Sequence, residues 1–452
     1  MEIKGTPLEL GTGNIGKLLK QYAIPAIIAM IASSLYNITD SIFIGHGVGA
    51  LAISGLAITF PLMNLAAAFG SLVGVGASTL LSVRLGQKDY ESANSILGNV
   101  FMMNLIIGIS FTIITLLFLD PILYFFGASE KTIPYAHDFM VVILLGNVIT
   151  HTYLGLNSML RSAGKPQQSM YATIYTVIIN LILNPLFIFG FNWGIQGSAL
   201  ATIISQIIVL AWQIYLFGDK NMIIHLRKGI FKLRMRVVRD SLAIGMPPFL
   251  MNAAASVIVI LINQGLLKHG GDIAVGAYGI VNRIAFLFVM TVMGINQGMQ
   301  PIAGYNYGAK LYPRVTEVLK KTIFGATIIM TLGFIIVELV PHAVASVFTT
   351  DDELIDTAST GLRIVFLCFP LIGFQMVVAA FFQSIGMVKK AILLSLTRQV
   401  ILLIPCLLIL PYFFGISGVW VSMSFSDFLS AILAAIILYR QFKVKKRTAK
   451  PK

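Results

Sequence analysis

A carboxylate inside a long apolar run is the first chemistry this sequence offers. Asp40 stands in YNITDSIFIG, the closing part of an apolar stretch that begins near residue 18. An ionised side chain at mid-membrane costs about 2.5–3.5 kcal/mol on insertion scales, so such a residue calls for a partner or a task. Asp40 would sit about five residues, roughly 8 Å, from the outer end of its helix. Asn180 and Asn184 are four residues apart, hence on one helical face, and Thr202 lies on the next apolar run at a comparable depth. Converging at one level, Asp40, Asn180, Asn184 and Thr202 can hold a proton on Asp40. They can equally hold a sodium ion between Asp40, Asn180 and Thr202, because hard cations take oxygen ligands. In the blander alternative Asp40 snorkels to the outer interface and caps backbone, with the asparagines joining helices.

Arg283, Asp427 and His151 are the other ionisable residues deep in apolar sequence, and each fits a structural ion pair or a cavity wall; Arg398 fits an interface. Pro25, Pro185, Pro247, Pro301, Pro370 and Pro405 interrupt helices, freeing carbonyls and permitting bends. Met290, Met293, Met299 and Met376 fit an adaptable apolar pocket or ordinary packing. No Walker motif, HExxH, Ser-His-Asp or Cys-His set is present, so ATP is not expected as the energy source within this chain. Gly70/Gly74 and Gly294/Gly298 read as small-residue helix packing, and GHGVG at Gly45 to Gly49 as an outer turn. Asn37-Ile38-Thr39 is a glycosylation match inside a helix, and Thr350-Asp351-Asp352-Glu353 a capping box rather than a diphosphate-binding acid pair.

The elements that must position these groups are transmembrane helices. Of 452 residues 57% are hydrophobic and 11% charged, with a mean hydropathy of +0.88, which excludes a water-soluble core. Apolar runs long enough to cross about 30 Å of hydrocarbon recur near 18–44, 50–82, 94–119, 135–160, 168–191, 194–217, 240–266, 274–303, 317–346, 357–385, 391–414 and 418–442. None shows the alternation of a barrel strand. Cys368 and Cys406 fall within these runs as small packing residues, and no cleavable leader is read at the start.

The +14 net charge is distributed by topology. Lys4, Lys17 and Lys20 precede the first run, and Arg84, Lys88, Arg161, Lys165, Lys310, Arg314, Lys389 and Lys390 follow even-numbered runs. The tail RQFKVKKRTAKPK is also basic, while the odd-numbered loops hold little beyond Lys131 and Lys268. Both termini are therefore expected on the cytoplasmic side, and no nucleic-acid partner is implied.

The chain also matches itself at an offset of 222 residues. Pro25 falls on Pro247, Gly49 on Gly271, Gly76 on Gly298, Gly86 on Gly308, Lys88 on Lys310 and Gly164 on Gly386; after one gap GIQG falls on GISG. The expected fold class is all-α integral membrane, with twelve transmembrane helices in two pseudo-symmetric six-helix lobes related by an axis along the membrane normal. The expected parts are an N-terminal lobe, 1–217, a linker, 218–239, and a C-terminal lobe with its basic tail, 240–452. The linker, with seven Lys/Arg among apolar residues, reads as an amphipathic helix in the headgroup plane or as a tether. At the offset Asp40 meets Ile262, Asn180 meets Leu402 and Asn184 meets Cys406, so the oxygen cluster belongs to one lobe alone.

YNITDSIFIG, GVGASTLLSVRLGQKD, RSAGKPQ, NLILNPLFIFGFNWGIQGSALAT and the repeated GISG together resemble the multidrug and toxic compound extrusion (MATE) family, from about residue 14 to 442. The resemblance implies a V-shaped pair of lobes that open alternately to the two sides and expel organic, often cationic compounds against protons or sodium. Asp40, Asn180 and Thr202 match the family's N-lobe cation site. Where relatives commonly read Leu-Asp-Pro, this chain reads Leu183-Asn184-Pro185, which puts a two-acid mechanism in doubt. Asn252, Asn263, Gln264 and Gln375 stand where some relatives place acids, so coupling through the C-lobe is not expected. Candidates for a substrate cavity are Tyr36, Asn37, Asn147, His151, Asn157, Gln264, Asn282, Arg283, Met293 and Gln375. The resulting expectation is a monomeric antiporter in a prokaryotic cytoplasmic membrane, with no cofactor beyond a coupling proton or sodium ion. Its partners are the lipid bilayer and small organic substrates. The rivals are a lipid or lipid-linked saccharide flippase of the same superfamily and an intramembrane enzyme.

Overall fold

The structure is a computed structural model that describes residues 7–448; Lys4 and the end of the basic tail, 449–452, lie outside them. All regular structure among the described residues is helical. Among the described residues nine helices are long and apolar enough to cross a bilayer, and two further spans are bent pairs, broken by 56° and 50°. The last of the nine, Val388–Lys443, has 56 residues. Straight, it would reach about 84 Å, far beyond one bilayer. Gly415, at φ 57 and ψ −134, breaks it in two, so the spans number twelve.

In chain order the first six are α1 (Ile15–Gly47), α2 (Ala50–Gly86), α3 (Tyr90–Leu117), α4 (Ile133–Leu145 with Asn147–Ser162), α5 (Pro166–Gly190) and α6 (Gly194–Phe217). The second six are α7 (Met235–Gly271), α8 (Ile273–Gly308), α9 (Tyr312–Leu339), α10 (Asp352–Phe366 with Phe369–Ser384), α11 (388–414) and α12 (416–448). Expected limits hold within a few residues, except that α9 ends at Leu339 and a separate short helix, Pro341–Ser346, follows. Only 11–39% of each most apolar window is buried within the protein, so the apolar faces look outward, as lipid requires and water forbids.

The duplication is written in the backbone. Turns between helices need left-handed residues where the chain reverses. Gly49 (φ 114) and Gly271 (φ 64), Lys88 (φ 61) and Lys310 (φ 60), and Gly164 (φ 87) and Gly386 (φ 73) lie 222 residues apart. Gly194 (φ 56) and Gly415 (φ 57) complete the set after the one-residue gap. The bends of α4 at Gly146 and of α10 at Cys368 obey the same offset.

The two halves meet at the end that carries both termini, through reciprocal glycine contacts. A Cβ on Gly86 would lie 1.9 Å from the Tyr305 carbonyl oxygen, and one on Gly308 would lie 2.1 Å from that of Val83. One step inward, a Cβ on Gly76 would lie 2.9 Å from Gly245 N, and one on Gly298 would lie 2.6 Å from Ala23 N. Each pair is the repeat image of the other, so α2 crosses the second half as α8 crosses the first. Gln300 locks the crossing, its Nε2 lying 2.6 Å from Thr79 Oγ1 and 3.0 Å from Ser78 Oγ. Gly294 and Gly298 thus serve close packing as their spacing implies, against Ile27 and Ala23 of α1.

Two expectations are corrected. Residues 218–234 form turns and bends instead of an in-plane helix, and α7 begins at Met235. Asn94 and Asn99 of α3 explain why. Asn94 accepts from His225 N (3.0 Å) and donates to Ile223 O (3.1 Å); Asn99 accepts from Arg234 N (2.9 Å) and donates to Lys232 O (3.2 Å). These side chains satisfy linker backbone that a helix would have satisfied internally. The cap of α10 is Asp351, accepting from Leu354 N at 2.9 Å, one residue beyond the expected Thr350.

Because the atoms facing Gly86 and Gly308 are backbone, they cannot yield to an added methyl group. Gly86→Ala and Gly308→Ala should each cost the closed crossing about 1–3 kcal/mol or more. Spin labels at positions 87 and 309 should move apart in either variant; unchanged label distances would show that the crossing tolerates the methyl.

Candidate functional site

The oxygen cluster assembles from α1, α5 and α6. Asp40 lies seven residues before the end of α1 at Gly47, and is 9% exposed. Ile27, on the same helix, faces Gly294 of the second half. Thirteen residues separate the two, placing Asp40 roughly 140° around the helix from that face. The carboxylate therefore turns into the first six-helix bundle. There Asn184 Nδ2 donates to Asp40 Oδ1, and Ser198 Oγ donates to the same oxygen at 2.5 Å. Pro185 leaves the helix after Asn184 in a π-type turn, Leu186–Gly190, which brings Gly194 and the start of α6 back beside the carboxylate.

Asn184 is fully buried, and its Oδ1 has no hydrogen-bond partner among the described residues. Its Nδ2 also lies 3.3 Å from Ser198 Oγ and 3.5 Å from Asn180 Oδ1. Asn180 Nδ2 donates to Thr202 Oγ1 at 3.2 Å, and Tyr36 OH lies 2.7 Å from that hydroxyl. Asp40, Asn184, Ser198, Asn180, Thr202 and Tyr36 thus form one connected network. It carries a single carboxylate, and it leaves the Asn184 oxygen free for a proton donor or a cation. Among the described residues no three His, Cys, Asp or Glu side chains gather as a metal centre.

The four cluster residues named from sequence come together. Snorkelling of Asp40 to an interface is replaced by burial, since the donors of α5 and α6 supply what headgroups would have supplied. Ser198 escaped sequence reasoning, although it precedes Thr202 by one helical turn within GSALAT and so shares its face. Tyr36, expected in a substrate cavity, belongs to the cluster through Thr202.

The other cavity candidates divide. Asn147, His151, Asn157 and Gln375 are corrected to bundle interiors, with exposures of 2%, 1%, 6% and 3%. His151 Nε2 is 3.0 Å from Ala66 O, Asn157 Nδ2 donates to Thr173 Oγ1 at 3.0 Å, and Gln375 Nε2 donates to Leu394 O at 3.1 Å. Away from water, such groups are drawn to carbonyls and hydroxyls of neighbouring helices. Asn37, Gln264, Asn282, Arg283 and Met293 are exposed. Asp427 pairs with Arg398 at 2.6 Å, so both are spent on a structural ion pair that joins α11 to α12.

The duplicated fold agrees with what this chain is similar to. The MatE family model matches twice over, at residues 25–186 and 244–409, once in each half. The chain belongs to the MatE family. It is a multi-pass membrane transporter and not an enzyme. "Multidrug export protein MepA" of Staphylococcus haemolyticus (strain JCSC1435) is 28% identical over 426 residues, 94% of each chain. A solved structure of the "MATE multidrug transporter DinF-BH" is 38% identical over 95% of this chain and 96% of its own, with a TM-score of 0.88. A MATE transporter of the MOP superfamily described as outward-facing shares the fold at a TM-score of 0.91, with 24% identity over 98% of this chain and 99% of its own.

Two measurements check the hydrogen-bond assignments. Ser198→Ala removes a donor from a carboxylate and should destabilise the detergent-solubilised MatE protein by about 1.5–3 kcal/mol, whereas Thr202→Val should cost nearer 1 kcal/mol. Equal melting temperatures for the two variants would contradict the direct contact. Asp427→Asn and Arg398→Gln should each lower the melting temperature, and the double variant should recover most of the loss; additive losses would deny the pair.

Proposed function

We propose that the chain is a secondary active multidrug exporter that exchanges organic compounds for a proton or a sodium ion. The observation that carries this reading is the sealed carboxylate: Asp40, turned away from the meeting face of the halves and held by Asn184 and Ser198, beside an amide oxygen with no partner among the described residues. A proton added to Asp40 gives it a donor that this oxygen can accept. A sodium ion would instead be held by the Asp40, Asn180 and Asn184 oxygens with the Thr202 hydroxyl. Either occupant neutralises the buried charge and changes which arrangement of the helices is favoured.

Alternating access is the second part of the proposal. The glycine crossing closes the halves at the end carrying both termini, and the basic loops gather at that end, so the closed end is read as cytoplasmic. Loading of Asp40 from the open, outer side would then loosen the crossing. The export of several drugs is what the Staphylococcus relatives are named for. A prokaryotic cytoplasmic membrane fits the Staphylococcus proteins among them, and a monomer suffices because the site and both halves lie in one chain.

The test is gradient-driven dye efflux from proteoliposomes, with pH and sodium gradients imposed separately. Asp40→Asn should lower coupled efflux at least about tenfold while leaving dye binding intact, because the amide keeps the shape and cannot lose a proton. Whichever gradient drives the unmodified chain names the coupling ion. Coupled efflux that survives Asp40→Asn would remove the proposal.

A further inference from the structure

Arg283 of α8 is exposed, ten residues from the outer end of that helix. It follows Ile273 into the span by roughly 15 Å, a depth at which a guanidinium facing lipid is strongly disfavoured. Its direction follows from the glycine contacts. Gly294 presses on Ile27 of α1, and Arg283 lies eleven residues earlier, three helical turns, within roughly 20° of the same face. Arg283 thus projects into the space between the halves, on the open side of the crossing. On α7, Asn252 and Asn263 share in the same way the face of Gly245, which touches Leu72.

The opposite wall is mainly apolar, and the hydroxyl of Ser34 on that face is spent on Met30 O at 3.0 Å. Ile38 of α1 lies eleven residues beyond Ile27 and is 59% exposed, with Ile31 (40%) and Ile42 (49%) beside it. No carboxylate balances Arg283: among the described residues it has no ion pair, Asp40 faces into its own bundle, and Asp427 is held by Arg398. The remaining acids of the spans lie near helix ends. One wall therefore offers a cation with amides, the other an apolar surface, which is the complement of an amphipathic acid.

We propose that the cleft of this transporter selects amphipathic organic anions, including zwitterions with an acid group, with Arg283 binding the acid and the α1 isoleucines the apolar body. This rests on the exporter reading above and departs from the cationic substrates that the family resemblance implies. A carboxylate, sulfonate or phosphate would meet the guanidinium fork in paired hydrogen bonds, a geometry an ammonium group does not reproduce.

The test uses two xanthene dyes of similar body and opposite charge, anionic sulforhodamine B and a cationic rhodamine ethyl ester, with the full chain in proteoliposomes. The unmodified chain should move the anion faster. Arg283→Gln should lower anion transport at least about tenfold and leave the cation unchanged or faster, while Arg283→Lys retains a substantial part. A chain that prefers the cation, or an Arg283→Gln variant that loses both dyes alike while remaining monodisperse, overturns the proposal. If neither dye moves under any gradient, the exporter reading fails first. Fluorescence anisotropy of each dye with the detergent-solubilised chain then decides separately, tighter anion binding supporting the proposal and equal or tighter cation binding refuting it. A parallel arm follows a fluorescent phosphatidylglycerol in the same vesicles. Arg283-dependent movement there, without dye transport, would keep the anion assignment and make a lipid headgroup its source.

Discussion

Everything in this chain answers to the absence of water along most of its length. A backbone or side-chain polar group that lipid cannot satisfy is drawn to a partner within its own helix or on a neighbouring one. Where helices cross tightly, glycine leaves room for one backbone against the other, as at Gly86 and Gly308. Where a carboxylate is buried, it is met by imported donors, and Asp40 draws Asn184 and Ser198 from two other helices. The same rule explains why His151 and Gln375 serve carbonyls inside bundles. Helices without such demands keep their apolar faces outward.

Duplication supplies a scaffold on which the two halves need not do the same work. The left-handed turns, the bends of α4 and α10 and the glycine crossings are shared, because each is a backbone necessity that a change would break. The ionisable residues are not shared. The first half carries Asp40 turned inward, while the second carries an exposed Arg283 and an internal Arg398–Asp427 pair. On the function proposed, the sealed carboxylate of one half serves coupling and the exposed guanidinium of the other serves the substrate, and the crossing of α2 and α8 would relate them mechanically.

The linker shows how far composition can mislead. Seven basic residues among Ile, Leu, Phe and Val have the make-up of a headgroup-plane helix. Two asparagines of α3, more than a hundred residues away, offer hydrogen bonds that hold the segment irregular and flat against the bundle. Tying the linker to α3 also fixes where α7 begins, and hence how the second half meets the first.

The class, the twelve spans, the duplication and four of the six residues of the oxygen cluster were legible in the sequence, because hydrocarbon thickness, helical periodicity and a single repeat offset leave little freedom. The charged and amide residues inside the spans were legible as exceptions; their partners were not. Whether Asp40 faced lipid, cleft or bundle depended on the rotation of α1 against α8, set by Ile27 packing on Gly294. That Ser198 would complete the cluster depended on the π-type turn after Pro185, and that Arg283 would be exposed while Asn147 and Asn157 are buried depended on helix rotation again. A rotation of one residue, about 100°, exchanges an interior position for a cavity wall, and only packing between helices distant in sequence chooses between them.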